Sequence, residues 1–406
     1  MRILIVSQYF YPENFRINDL VDKLISLGHE VTVLTGLPNY PKGKFFNGFN
    51  YLSCGLQKKG NLKLIRVPII PRFSSSKVQL VFNYLSFAFS SIMMSFFYCR
   101  EKYDVIFTYA PSPPTVAFPS IILSFFKQIP HVIWVQDLWP EVFMAEDTPK
   151  KGLFYKLIKS MMQVIYRSSD KILIPAREFK PYILELGIKE EKIYYFPNWA
   201  EKFFSPIPKE EALNRGINLP GGDTFKLMFA GNIGLAQSFD VIIEAAKQLK
   251  NEKISWIILG DGRKKSWLDK EIKKYSLEDI VFTLGQKPVE EMPFYFAMSD
   301  ALLVSLRSHP VFSAWIPGKI QSYLACGKPI IGLISGAGAR VINDSGSGFS
   351  VNSDDFNELA EKINLLINSS SEEREKIGSN ALEYYNREFN RDKLVKELEN
   401  IFLKLQ

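Results

Sequence analysis

The amino-acid sequence predicts an α/β protein of two Rossmann-like, doubly wound lobes facing a central cleft. Three observations lead to this reading. Short apolar strand patterns alternate with amphipathic helix patterns along the chain, the signature of parallel sheets joined by crossover helices. The alternation breaks once, in a proline- and glycine-rich stretch near mid-chain, and then restarts. The 406 residues suffice for two domains, each with its own core.

The first strand is predicted at Arg2–Ser7, followed by a helix at Arg16–Leu27 and a strand at Glu30–Thr35. Gly28 ends the helix, as glycine commonly does. A long punctuated loop, Gly36–Gly60, precedes strands at Asn61–Val67, Asp104–Tyr109, His131–Val135, Lys171–Ile174 and Lys192–Phe196. These runs are short and rich in β-branched and aromatic residues, as buried parallel strands should be.

Residues Pro197–Asp223 hold four prolines together with Gly216, Gly221 and Gly222, and read as the interdomain connection. Strands then follow at Phe225–Ala230, Ser255–Leu259, Ile280–Thr283, Ala301–Val304, Pro329–Leu333 and Gly348–Val351. Helices are predicted at Phe239–Lys250, Lys264–Tyr275, Glu290–Met298, Lys319–Cys326, Phe356–Ile367, Glu372–Tyr385 and Arg391–Leu405. The expected domains are 1–197 and 198–386, with residues from about 387 to 406 forming a last helix.

Composition narrows the function. Cys54, Cys99 and Cys326 are far apart and show no CxxC spacing, which points to a reducing compartment and away from a zinc site. Only His29, His131 and His309 exist, so no tightly held metal is expected. Residues 1–200 carry 24 Lys/Arg against 15 Asp/Glu, while residues 201–406 carry 26 against 28. A basic first half suits an anionic partner, such as phosphates or a membrane surface. No nucleic-acid recognition module is visible. The start, Met1-Arg2 and a short apolar run, reads as a cytosolic strand rather than a signal peptide.

The segment Gln79–Cys99 is 21 residues without a charge, flanked by Lys77, Arg100 and Lys102. Six of its residues are Gln, Asn or Ser, a poor composition for a spanning helix. A buried helix of the first lobe and a helix lying shallowly on lipid both remain open.

Candidate chemistry gathers where strands hand over to helices, because free amides at helix starts favour anions. Gly231-Asn232-Ile233-Gly234 follows a strand and reads as a phosphate cradle formed by main-chain amides. It is neither GxGxxG nor a Walker sequence. Gly260-Asp261-Gly262-Arg263 is a second such turn, whose Arg263 could reach a phosphate. Pro317-Gly318-Lys319 opens a helix, and a lysine there is unfavourable unless an anion shares the site. In the first lobe, Gln136-Asp137-Leu138-Trp139-Pro140-Glu141 follows a strand. Asp137 and Glu141 could orient a sugar hydroxyl or accept a proton, although an Asp there also suits a helix cap. Arg16 could reach an anion, and His309 follows the strand Ala301–Val304.

With those residues on the page, the whole chain resembles the retaining GT-B glycosyltransferases of family four. It is most similar to those adding N-acetylated amino or deoxyamino sugars during bacterial O-antigen and capsule assembly. The resemblance rests on Met1–Tyr11 with Pro12-Glu13, Gly28–Val31, Val135–Glu141, Pro197-Asn198-Trp199, Ala230–Gln237 and Pro317–Pro329. It implies a UDP-sugar donor held by the second lobe and no metal or other cofactor. It also implies a lipid-linked saccharide acceptor, on a polyprenyl diphosphate, at the cytosolic face of the inner membrane. The enzyme would be cytoplasmic and peripherally membrane-associated, with its last helix crossing back onto the first lobe.

The implied catalytic residues are Asp137, Lys319, Arg263 and Glu141. The nucleotide-sugar contacts would be Gly231, Asn232, Gly234, Gln237, Gly260, Asp261, Gly262, Arg263, Gln286, Lys319, Gln321 and Ser322. Arg16 and Asn198 would lie toward the acceptor or its phosphate. Many relatives have an Arg and a Lys where this chain has Asn232 and Gln237, and a Glu pair where it has Ala314 and Ser322. Two other readings share the architecture: a UDP-sugar 2-epimerase, and a non-catalytic nucleotide-sugar-binding scaffold.

Overall fold

Arg2–Val6 (β1) is buried from Ile3 to Val6 and sits inside an eight-stranded sheet. The computed structural model of the chain describes residues 1–72, 77–142 and 152–406. It divides into two units, Met1–Pro197 with Asp392–Gln406, and Asn198–Arg391.

In the first unit, the remaining strands are Glu30–Gly36 (β2), Gly55–Lys59 (β3), Leu62–Val67 (β4), Val105–Ala110 (β5), His131–Val135 (β6), Lys171–Ile174 (β7) and Ile193–Tyr195 (β8). Their order is β3-β4-β2-β1-β5-β6-β7-β8. All neighbours are parallel except β3 and β4. The apolar pattern misses β3 because its sequence, GLQKK, is largely exposed. Its lysines stand at the sheet's outer edge, where charge discourages pairing with another chain.

The helix Arg16–Ser26 buries Ile17, Leu20, Val21 and Leu24, the spacing of one helical face. It ends because Gly28 takes φ +87°, letting its N–H donate to the Ile25 carbonyl and that of His29 to the Leu24 carbonyl. The last helix, Arg391–Leu403, buries Leu394, Val395, Leu398 and Phe402 within this first unit. Phe402 meets the Phe107 ring edge-on at 5.8 Å. Polar ties at the rim join His29 to Glu399 at 2.6 Å and Lys23 to Asp392 at 2.9 Å.

The uncharged segment Gln79–Cys99 corresponds to the helix Lys77–Tyr98. One face is locked onto the unit: Asn83, Phe87, Ser91 and Ser95 recur every four residues and have no exposure. Gln8 Nε2 donates to Asn83 Oδ1 at 2.8 Å, and Asn83 Nδ2 donates to the Ile70 carbonyl at 2.7 Å. The opposite face exposes Val78, Phe82, Leu85, Phe89, Met93 and Phe96. A wholly buried helix is therefore the wrong description. The helix is long and apolar enough to cross a membrane by length and composition, but one face of it is committed to the fold.

The second unit contains Phe225–Ala230 (β9), Ile254–Leu259 (β10), Val281–Gly285 (β11), Ala301–Ser305 (β12), Ile330–Leu333 (β13) and Gly348–Val351 (β14). The order is β11-β10-β9-β12-β13-β14, all parallel. Alternate residues serve opposite faces. Met228, Ile257 and Leu302 belong to one core cluster, and Phe229, Ile258 and Leu303 to the other. Both faces are thus covered, as doubly wound sheets require.

Two sequence readings need correction here. Much of Pro197–Asp223 is core rather than connection, since Ala200, Phe204, Ala212 and Leu219 are buried in the second unit's cluster. Proline and glycine disguise a short helix, Lys209–Asn214. A further helix, Ala337–Ser345, follows β13 through Gly336 and was not anticipated.

Candidate functional site

Strand order in the second unit reverses between β9 and β12, and open α/β sheets bind ligands beyond the carboxyl ends at such a point. The turn after β9 and the turn after β10 are fastened together there. Gly231 N donates to the Leu259 carbonyl at 2.8 Å, Ile233 N to the Asp261 carbonyl at 2.8 Å, and Lys264 N to the Ile233 carbonyl at 2.9 Å. A Cβ on Gly260 would stand 1.8 Å from the Gly231 carbonyl oxygen, and one on Gly262 2.4 Å from that of Ile233. The glycines at 260 and 262 are therefore required by backbone packing.

This fastening corrects the expected amide cradle. Of the four amides from Gly231 to Gly234, those of Gly231 and Ile233 are spent on carbonyls. That of Gly234 donates to Gln237 Oε1 at 3.1 Å. Of these four, the Asn232 N–H has no acceptor among the described residues. The next helix, Phe239–Gln248, starts without a side-chain cap, so its first amides are also open to an anion.

Lys319, second residue of the helix Gly318–Ala325, supplies the charge. Its side chain runs over Gly231, whose missing Cβ would lie 2.5 Å from Lys319 Cε. Its Nζ sits 3.8 Å from the centroid of the Phe229 ring. Among the described residues it forms no hydrogen bond or ion pair. Burial beside an aromatic ring, with no counter-ion, pushes its ammonium down to about 7. Phe229 had no sequence signal beyond an apolar strand position.

The other expected donor residues separate into two groups. Asn232 and Gln237 flank Gly234, and the Ser305 hydroxyl donates to the Gln237 carbonyl at 2.9 Å. Arg263, Asp261 and Gln286 are exposed on the turns after β10 and β11, and Asp261 Oδ1 accepts the Gly262 N–H. Gln321 and Ser322, by contrast, turn inward. The Gln321 amide donates to the Pro317 carbonyl at 2.9 Å, and Ser322 Oγ donates to the Gly318 carbonyl at 3.3 Å. Both are buried and stitch the helix start. His309 Nδ1 accepts the Val311 N–H at 3.2 Å and braces its own loop.

In the first unit the order reverses between β1 and β5. Asp137, just beyond β6, accepts from Ser112 N at 3.0 Å and Ser112 Oγ at 2.6 Å through Oδ2. Trp139 Nε1 donates to the same hydroxyl at 3.2 Å. Burial raises the Asp137 carboxyl above the usual range, partly offset by the Ser112 bonds. Ser112, just beyond β5, was not foreseen; its place after an apolar strand was the available signal. Glu141 Oε1 accepts from Tyr155 Oη at 3.1 Å. Arg16 opens its helix half-buried, and Asn198 begins the second unit.

The same two stretches are matched by family models: Glycosyltransferase Family 4 over residues 15–201, and Glycosyl transferases group 1 over residues 210–384. The chain is a glycosyltransferase, similar to those of family four. It is 29% identical to WbjE of Pseudomonas aeruginosa, named as a probable glycosyltransferase, over 61% of the chain. That match spans 64% of WbjE, slightly under two thirds of its length. It is 26% identical to WcaI of Escherichia coli strain K12, named for colanic acid biosynthesis, over 80% of the chain and 82% of WcaI. Among solved structures, sucrose-phosphate synthase of Thermosynechococcus elongatus superposes with a TM-score of 0.77 at 16% identity, covering 100% of this chain and 98% of that one. Anabaena Alr3699/HepE in complex with UDP gives 0.72 at 15%, covering 100% of both. These likenesses show that the glycosyltransferase has the GT-B fold of two Rossmann-like lobes.

Proposed function

We propose that this glycosyltransferase moves an N-acetylated amino or deoxyamino sugar from a UDP-sugar, with retention and without a metal ion. The acceptor in this reading is a polyprenyl-diphosphate-linked saccharide, used in O-antigen or capsule synthesis. The observation that carries the donor half is Lys319: a lysine without a counter-ion, held over Gly231 at the β9–β12 switch point. HepE in complex with UDP and the name of WcaI support the nucleotide and the pathway class.

In this mechanism the bond from the anomeric carbon to the β-phosphate oxygen breaks, and a bond from the acceptor oxygen to that carbon forms on the same face. The diphosphate departs against Lys319, with Arg263 and the Asn232 amide as further donors. Gly234 joins them when Gln237 Oε1 turns away. One well-placed donor of this kind is worth about 3–4 kcal/mol in the transition state. The acceptor hydroxyl's proton passes to the departing phosphate oxygen, or to Asp137.

The acceptor half brings the enzyme to the membrane, and the exposed face of Lys77–Tyr98 is the surface we assign to that contact. Phe89 is 69% exposed, and Phe96 stacks edge-on at 5.9 Å with Phe126, which continues the patch with Phe125 onto the neighbouring helix. Residues 51–100 contain seven Lys/Arg and no Asp/Glu, which fits an anionic bilayer rather than a neutral protein face. The enzyme would be cytoplasmic and bound to the inner membrane's cytosolic leaflet.

Acceptor-dependent release of UDP from a UDP-sugar tests the reading. A binding scaffold gives no release, and a 2-epimerase gives a new sugar isomer without acceptor.

A further inference from the structure

We infer that Arg72, in the first unit, is a recognition site for a phosphate or diphosphate group. It stands in the loop after β4, at the carboxyl edge of the sheet, where the loops after β1 and β2 also converge. Three tyrosines surround its guanidinium, whose central carbon lies 5.1 Å from the Tyr84 ring centroid and 5.9 Å from those of Tyr9 and Tyr40. Arg72 Nε donates to Asn83 Oδ1 at 3.3 Å, and Nη2 donates to Tyr9 Oη. A further side-chain hydrogen bond joins Arg72 to Tyr84, and these contacts position the guanidinium, which has five donors in all.

No carboxylate completes the set. Among the described residues Arg72 forms no ion pair. The nearby acid, Glu13, is committed elsewhere: it accepts the Asn39 and Tyr40 amides at 2.8 and 2.7 Å and that of Phe10 at 3.3 Å. Its charge partner is Arg66. The Arg72 site is also rigid. Gly43, at φ +71°, packs so tightly that a Cβ there would lie 1.9 Å from the Arg72 carbonyl oxygen. Asn83, fully buried, is itself held by Gln8 and Ile70.

A half-buried, pre-oriented guanidinium without a counter-ion is built for an oxyanion, because its planar fork matches phosphate oxygens. Tyr84 is acted on by both Arg72 and Asp137. Arg72, after β4, and Asp137, after β6, thus lie beyond the same carboxyl edge of the sheet. This deepens the proposed function and rests on it for the identity of the acceptor. The phosphate chemistry stands on the geometry alone.

The test is calorimetric titration of the full chain with geranyl diphosphate, and with inorganic pyrophosphate after saturation by UDP. Arg72→Gln, Arg72→Lys and Lys319→Ala are measured beside the wild type. Arg72→Gln should weaken geranyl diphosphate at least about tenfold, or 1.4 kcal/mol, and leave UDP affinity unchanged. Arg72→Lys should keep the melting temperature and part of the affinity, which a purely structural arginine would not produce. Geranyl diphosphate binding but pyrophosphate not binding would assign the site to prenyl-linked phosphate; binding of both would assign it to the diphosphate itself. Equal geranyl diphosphate affinity in wild type, Arg72→Gln and Arg72→Lys overturns the inference. So does absence of any binding by the wild type. UDP binding that ignores Lys319→Ala would defeat the donor assignment while leaving this result standing.

Discussion

Lys319 Cε and Nζ occupy the space that a Cβ on Gly231 would need, at 2.5 and 2.6 Å from its ideal position. The glycine is thus what allows the lysine to lie across the end of β9. Gly231 also takes φ +138°, a region L side chains rarely adopt. Gly231→Ala should therefore displace Lys319 and cost stability at once. We expect turnover to fall about 10²–10³-fold, as for loss of one electrostatic donor, with a lowered melting temperature.

Lys319→Ala should slow turnover to a similar extent but without loss of stability. The lysine's folded pKa, about 7, lies below its value of 10.5 in the unfolded chain. The unfolded state then binds more protons between those values, so this group's penalty on stability is full below about pH 7 and fades as pH rises toward 10.5. Thermal melts at pH 6.5 should show Lys319→Met at or above the wild type, while UDP no longer stabilises it. A marked drop in melting temperature would mean the lysine serves the fold.

Binding should also report this proton. A diphosphate favours the charged ammonium, so UDP association near pH 7.5 should take up protons, and affinity should decline as pH rises from 6.5 to 8.5. Calorimetry in buffers of different ionisation enthalpy measures the uptake. It should vanish in Lys319→Ala.

Asp137 and Ser112 make a second pair with a pH signature. The Ser112 bonds hold the Asp137 carboxyl down against the upward push of burial. Ser112→Ala removes the hydroxyl and should move the acidic limb of kcat/KM to higher pH, with little effect on UDP binding. Asp137→Asn should lower transfer sharply. Full transfer in Asp137→Asn would remove the residue from the mechanism.

The strand register was legible because buried parallel strands leave continuous apolar runs. His131–Val135, Lys171–Ile174, Phe225–Ala230 and Gly348–Val351 have the bounds that the pattern suggests. Elements that are polar or short were not legible. β3 carries lysines at an edge, and Lys209–Asn214 hides between proline and glycine. The phosphate turns were visible as strand–glycine–helix junctions, yet the fate of each amide was not. That Ile233 donates to Asp261 depends on which loops meet beyond neighbouring strands, and that Gly234 donates to Gln237 depends on a side chain folding back within its own turn. Arg72 left no local signal either, since its tyrosines come from the loops after β1 and β2 and from the helix Lys77–Tyr98.

The membrane surface predicts a salt-dependent partition. Wild-type protein should float with liposomes containing anionic lipid at low salt and be partly released at high salt. Phe89→Glu places a charge on the exposed stripe, away from the buried Asn83 and Ser91, and should reduce flotation while leaving UDP binding and the melting temperature unchanged. Flotation that is unaffected by Phe89→Glu assigns the contact to another surface.

The diphosphate's position in a crystal of the enzyme grown with UDP bears most directly on the whole account. We predict phosphate oxygens within hydrogen-bond distance of Lys319 Nζ and the Asn232 amide, above Gly231. UDP bound elsewhere, or bound with Lys319 still resting on the Phe229 ring and touching no phosphate, would contradict it.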